Sequence, residues 1–169
     1  TAMALGNYEF DKGSVNFEEQ YQKFGGFPIL AANYQFEDGQ NPNDYALPKL
    51  SRVVHPYTIV NLDGIKIGLI GLGNLSSIQG ILQGGNTLGV RPLEATSVIH
   101  DTVSVVRPQV DVLALISHLG LDEDEGVASG DAESRDQNTA VAENGVDVIF
   151  GGHLHIVLDP PKDLPHLDT

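Results

Sequence analysis

The sequence contains no cysteine, which removes disulfides, thiolate metal sites and thiol nucleophiles together and leaves the compartment open. Any bound metal must then be held by histidine, asparagine and carboxylates. Basic residues are scarce: 9 Lys and Arg stand against 23 Asp and Glu, for a net charge of −14. That field repels phosphodiester backbones, so no nucleic-acid partner is expected. A small anionic substrate remains compatible with it, because bound metal reverses the sign of the field locally. Long hydrophobic runs are missing as well. The longest, Ile65 to Leu72, is broken by Lys66 and by glycines, and none approaches the ~20 residues of a membrane-spanning helix. No membrane span is predicted. Gly-Lys-Ser/Thr phosphate loops and Gly-x-Ser-x-Gly elbows do not occur. Gly71-Leu72-Gly73 follows an apolar run, but Ser76 stands where a dinucleotide fingerprint needs its third glycine.

What is present describes a folded α/β protein. Of 169 residues, 41% are hydrophobic and 19% charged, and a chain of this length buries roughly 70% of its unfolded surface. A single domain spanning residues 1–169 is expected. Five segments read as strands, most of them continuous apolar runs of the kind covered on both faces: Ala2 to Leu5, Pro28 to Ala32, Tyr57 to Leu62 with Ile65 to Leu72, Val110 to Ser117, and Val146 to Phe150. Asp63-Gly64 between two of these runs predicts a hairpin, because both residue types tolerate positive φ. A helix opens at Arg91-Pro92-Leu93-Glu94-Ala95 and runs to about Val106, with an apolar face ending at Pro108. Others are expected over Ser14 to Phe24 and Asp131 to Asn144. Alternating helix and strand over residues 92 to 150 predicts a crossover with parallel strands. Gln35 to Pro48 and Ser76 to Gly89 read as loops.

In open α/β sheets ligands gather at the carboxyl ends of strands, and three strand ends here are polar. The first run leads into Gly6-Asn7-Tyr8-Glu9-Phe10-Asp11, the fourth into Ser117-His118-Leu119-Gly120, and the fifth into Gly151-Gly152-His153-Leu154-His155. His153 and His155 are two apart, so extended backbone would point both imidazoles to one side. A lone strand-end histidine is more often hydrogen-bonded to backbone than bound to metal. Three of them with Asn7 point to a cation, and imidazole with amide oxygen suits Zn, Mn, Fe or Ni. His55, His100 and His166 carry no such pattern, and Asp122-Glu123-Asp124-Glu125 reads as a solvated acidic turn rather than a calcium loop.

These three motifs, in this order and spacing, resemble the last three metal motifs of calcineurin-like metallophosphoesterases. Asn-Tyr-Glu-Phe-Asp, Phe27 to Asn33 and His155 to Pro161 are similar to the 5′-nucleotidase branch. The resemblance covers nearly the whole chain and implies an α/β/β/α sandwich with mixed sheets. Asn7, His118 and His153 would hold one ion of a dinuclear divalent pair and His155 the other. Asp11 would stand where the family places the acidic partner of a catalytic histidine. The family has that histidine at the position of Tyr8, and a phenol is a poorer proton donor, so slower turnover is implied.

The family's first two motifs, Asp-x-His and Gly-Asp, would precede Asn7, where six residues stand. The chain is therefore expected to be the incomplete C-terminal portion of a catalytic domain, holding at most one metal weakly by itself and partnered by its missing N-terminal segment. It begins at Thr1 in an apolar run with neither initiator Met nor basic leader, consistent with that expectation. The implied function is hydrolysis of a phosphorylated small molecule, nucleotides included, in the periplasm or outside the cell. The alternative is an inactive metallophosphoesterase fold serving as a binding or assembly module, for which Tyr8 is the sequence argument.

Overall fold

A computed structural model describes residues 1–36, 50–74, 90–121, 124 and 145–161. The helix predicted over Asp131 to Asn144, the loop over Ser76 to Gly89, nearly all of the loop over Gln35 to Pro48, and His166 lie outside those residues.

Strands β1 (Met3–Ala4), β2 (Ile29–Leu30) and β4 (Val54–His55) form a parallel three-stranded sheet with β2 in the middle. Helix α1 (Gly13–Phe24) belongs to the core built on this sheet, where Phe17 joins Leu5, Phe10, Ile29 and Leu50. The second sheet has the order β5 (Tyr57–Leu62), β6 (Ile65–Leu72), β8 (Val112–Ser117), β9 (Val148–Phe150). Its first pair is antiparallel and the other two are parallel, so the sheet is mixed. Asp63 and Gly64 take φ of 52° and 96°, the pair of positive angles that lets a two-residue turn follow strand twist.

Helix α2 (Ala95–Val106) makes the crossover from β6 to β8 and buries Ala95, Ile99, Val103 and Val106 against Ile70, Leu72, Leu113 and Leu115. Spacings of four, four and three residues trace one face of a helix. The two sheets meet where the Ala32 N–H donates to the Gly71 carbonyl at 2.7 Å and the Gly71 N–H to the Pro56 carbonyl at 3.2 Å. At the opposite end of β8, Arg107 donates to Asp147 Oδ2 at 2.7 Å, and the same oxygen accepts from the Leu113 N–H at 2.7 Å. This clamp fixes the starts of β8 and β9, so their carboxyl ends emerge together.

Several local expectations change. Arg91 and Pro92 do not open the helix: they lie in β7 (Val90–Pro92), which pairs antiparallel with β3 (Tyr34–Phe36), a strand that takes in Gln35 and Phe36 from the start of a segment read as loop. The helix instead starts after Glu94, whose carboxylate accepts from the N–H groups of Thr96 and Ser97 at 2.8 and 2.7 Å, satisfying donors that have no partner within the helix. Nor are all the long strands covered on both faces. β6 and β8 are largely buried, whereas β5 and β9 are edge strands with exposed residues. β3, β4 and β7 have no apolar run long enough to announce them. Among the described residues, no helix is long and apolar enough to cross a membrane.

Candidate metal centre

The chain leaves β1 through Leu5, whose N–H donates to the Leu30 carbonyl at 3.1 Å. It then turns at Gly6 and Asn7 into a single 3-10 turn over Tyr8–Phe10. Phe10 is fully buried and packs on Phe17 with ring centroids 5.6 Å apart. That apolar anchor fixes the polar residues before it. At the end of β8, the His118 N–H continues the ladder by donating to the Leu72 carbonyl at 2.8 Å, and the Leu119 N–H donates to Ser117 Oγ at 3.1 Å.

The two strand ends meet through side chains. His118 Nε2 lies 2.9 Å from Asn7 Oδ1, across 111 residues of sequence. The His118 and His153 rings are 5.1 Å apart between centroids and tilted by 59°. Burial pushes the His118 imidazole below its ordinary pKa; the His153 charge adds to the effect, Glu9 opposes it, and His155 adds again. A neutral imidazole keeps a lone pair for a ligand.

His153 and His155 are not in extended backbone. Their φ angles are 72° and 55°, and the Leu154 N–H bonds back to the Gly152 carbonyl at 2.9 Å. The same-side rule of a strand therefore does not govern them. Left-handed backbone is uncommon for a non-glycine residue, and here it occurs twice within three residues.

Asn7, His118 and His153 thus come together, while His155 is exposed and acts on His118 through its charge. Tyr8 is 68% exposed. Asp11 is exposed too; its backbone N–H donates to the Tyr8 carbonyl at 3.1 Å, but no hydrogen bond joins its carboxylate to the phenol. His100 has Nδ1 3.4 Å from the adjacent Asp101 carboxylate on α2, and His55 ends β4 exposed. Neither joins the cluster.

Two residues without a predicted role also belong here. Glu9 Oε2 is buried and has no hydrogen-bond partner. A methyl group on Gly6 would lie 2.8 Å from that oxygen and 3.0 Å from His118 Nε2, so the missing side chain of Gly6 is what gives both groups room. Of the acidic turn read as solvated, Asp122, Glu123 and Glu125 lie outside the described residues, and Asp124 is buried instead. It is 6% exposed, its N–H donates to the Gly120 carbonyl at 2.9 Å, and Oδ2 lies 2.5 Å from where a Gly151 side chain would begin. The Asp124 carboxylate lies inward against the glycine backbone at Gly151.

The donors fit part of a divalent-metal shell. The 2.9 Å contact is itself a hydrogen bond in which Nε2 donates to the Asn7 amide oxygen, and imidazole nitrogen and amide oxygen are both donor types that divalent metals accept. Among the described residues no group of three His, Asp or Glu converges on one point, so the shell drawn from them is partial and relies on the Asn7 amide.

The family model for calcineurin-like phosphoesterase matches residues 1–157. The 5′-nucleotidase of Diplobatis ommata is 28% identical over 168 residues, covering 97% of this chain and 26% of its own length. A snake venom 5′-nucleotidase of Crotalus adamanteus is 29% identical over 164 residues, covering 95% and 24%. The crystal structure of a 5′-nucleotidase precursor from Thermus thermophilus superposes with a TM-score of 0.71 at 27% identity, over 99% of this chain and 28% of that one. The chain spans about a quarter of the length of these relatives.

Proposed function

The chain belongs to the calcineurin-like phosphoesterase family, and from that premise we propose that the full-length protein is a metal-dependent phosphoric monoester hydrolase acting on nucleotides. Calcineurin-like phosphoesterases bind divalent metals, and the residues assigned to that task here are Asn7, His118 and His153 for one ion and His155 for a second. The observation that carries the reading is the 2.9 Å approach of Asn7 Oδ1 to His118 Nε2, with the His153 ring tilted against that of His118 at 5.1 Å between centroids. Divalent ions, when bound, supply Lewis acidity toward phosphoryl oxygens and a nucleophile from water at neutral pH. The remaining ligands come from a segment preceding Asn7 in the same domain. Nitrogen and amide-oxygen donors without thiolate accept Zn, Mn, Fe or Ni.

The chain's own residues have distinct tasks. Asn7 and His118 present neutral donors from two sheets whose relative position is fixed by backbone bonds, so the donors are in place before substrate arrives. Tyr8 stands exposed next to Asn7 and donates a hydrogen bond to a substrate oxygen. It lacks the cationic form by which a histidine would stabilise a leaving oxygen. Asp11 has no imidazole to orient. Turnover is accordingly slower than a histidine at this position would allow. A venom protein and a precursor among the relatives support a periplasmic or extracellular location.

Metal analysis and hydrolysis of AMP and p-nitrophenyl phosphate by the full-length protein test this reading. Two ions per chain and turnover are expected, with both reduced in His118→Ala. Turnover and metal content unchanged in His118→Ala would overturn it. Tyr8, unbonded to Asp11, favours a second reading as an inactive binding module, which predicts one ion or none and no turnover in the same assay.

A further inference from the structure

We propose that Asn74 is a positioning residue: its side chain sets the backbone that carries His118, so that the imidazole reaches Asn7. This rests on the metal-site reading above and adds to it a residue outside the strand-end motifs. The parallel ladder of β6 and β8 ends at Leu72 and Ser117. One further bond of the same kind, from the His118 N–H to the Leu72 carbonyl at 2.8 Å, holds the near side of His118. The far side is held by a side chain: Asn74 Nδ2 donates to the Leu119 carbonyl at 3.3 Å, across 45 residues of sequence. Both bonds come from the end of β6, so the backbone on either side of His118 is tied to one strand. Beyond Leu119 the chain turns away at Gly120, whose φ of 119° suits glycine alone.

Asn74 is itself braced from behind. It is 2% exposed, and a buried amide is tolerated only where its hydrogen bonds are made. Its backbone carbonyl accepts from the Tyr34 hydroxyl at 2.7 Å. The Tyr34 ring lies across Gly73, where a methyl group would come 2.5 Å from the hydroxyl oxygen. Asn33 grips Gly73 through both of its backbone groups. Asn33 and Tyr34 follow β2, and β2 pairs with β1, the strand that leads to Asn7. One chain of buried bonds therefore runs from the strand before Asn7, through Asn33, Tyr34 and Asn74, to the carbonyl after His118. Residues that orient metal ligands from outside commonly set the affinity of the site, because the ligands then need no rearrangement when the ion arrives.

The experiment uses Mn2+ as the probe and the full-length protein, with calorimetry for binding and the melting temperature of the metal-stripped form for stability. Asn74→Ala is expected to weaken Mn2+ binding by ~10-fold or more and to lower the melting temperature by ~2–8 °C. Val106→Ala and Leu113→Ala supply the comparison. Both residues are fully buried and pack around Gly68, at the opposite end of β8 from His118, so they are expected to lower the melting temperature while binding Mn2+ within twofold of the parent. Asn74→Ser is the milder change should Asn74→Ala fail to fold; its hydroxyl is too short to reach the Leu119 carbonyl, and the same weakening is expected of it. Binding by the folded Asn74 variant within twofold of the parent overturns the proposal. Binding weakened no more than in Val106→Ala or Leu113→Ala at the same loss of melting temperature also overturns it, because a merely structural residue behaves that way. His118→Ala separates the two levels: if it binds Mn2+ like the parent, the metal-site reading itself fails, whereas loss of binding there with none in the Asn74 variant removes the role of Asn74 alone.

Discussion

Asn33 joins the two halves of the fold just behind the metal centre, and removing its amide should be among the most damaging single changes in the chain. Its side chain is fully buried. Nδ2 donates to the Gly73 carbonyl at 2.8 Å, and Oδ1 accepts from the Gly73 N–H at 2.8 Å. Asn33→Ala leaves both backbone groups of Gly73 buried without a partner, at ~1–3 kcal/mol each. After partial relaxation a loss of ~2–4 kcal/mol is expected. At ~2–4 °C per kcal/mol for a domain of this size, that is a fall of roughly 4–16 °C in melting temperature.

The damage should also reach the metal centre. Asn74, next to Gly73, donates from Nδ2 to the Leu119 carbonyl at 3.3 Å, adjoining His118. Thermal unfolding and amide hydrogen exchange at Gly73 in the full-length protein are the assays, with Mn2+ affinity as the functional measure. Asn33→Asp should be no better than Asn33→Ala, since its carboxylate would face the Gly73 carbonyl. A loss below ~1 kcal/mol in Asn33→Ala, or a Gly73 amide exchanging at the parent rate, would refute the reasoning.

Three further outcomes follow from the same geometry. Tyr8→His should raise kcat for AMP by up to ~100-fold, the usual worth of a positioned acid or electrostatic donor; an unchanged kcat in protein carrying its full metal content refutes the role given to this position. Gly6→Ala inserts a methyl group 2.8 Å from Glu9 Oε2 and 3.0 Å from His118 Nε2, so it should cost ~1–3 kcal/mol of overpacking and reduce Mn2+ affinity, with retention of both arguing against a filled cradle. Tyr34, whose hydroxyl donates to the Asn74 carbonyl at 2.7 Å, has its pKa raised by burial first and by the Glu9 charge second. Its folded state therefore holds the proton more tightly than the unfolded chain, and stability falls as pH rises above the unfolded value of ~10. Tyr34→Phe should cost ~1 kcal/mol at neutral pH and make the alkaline loss in denaturant titrations shallower; an equally steep loss would contradict the assignment.

The order of the long elements was legible because their signals are local. Continuous apolar runs and Asp63-Gly64 specify β5 and β6 to the residue, and the apolar periodicity before Pro108 specifies α2 apart from its first turn. Strands β3, β4 and β7 were not legible. They are two or three residues long, too short to show a period, and exist because a distant partner pairs with them. Pro92 illustrates the conflict. Its local preference suits the first turn of a helix, yet pairing with Tyr34 places it in a strand.

The sequence by itself determined the chemistry available at the strand ends: histidine, asparagine and carboxylate donors, no thiolate, and a tyrosine beside the asparagine. Which donors meet was decided by the tertiary structure, since Asn7 and His118 are brought to 2.9 Å across 111 residues by two sheets joined behind them. The inward turn of Glu9 and Asp124 and the left-handed backbone of His153 and His155 were decided there too. Residue type and periodicity report the face a side chain prefers within its own segment. Whether a charged group is buried depends on what packs over it, and those partners are set by contacts between segments far apart in the chain.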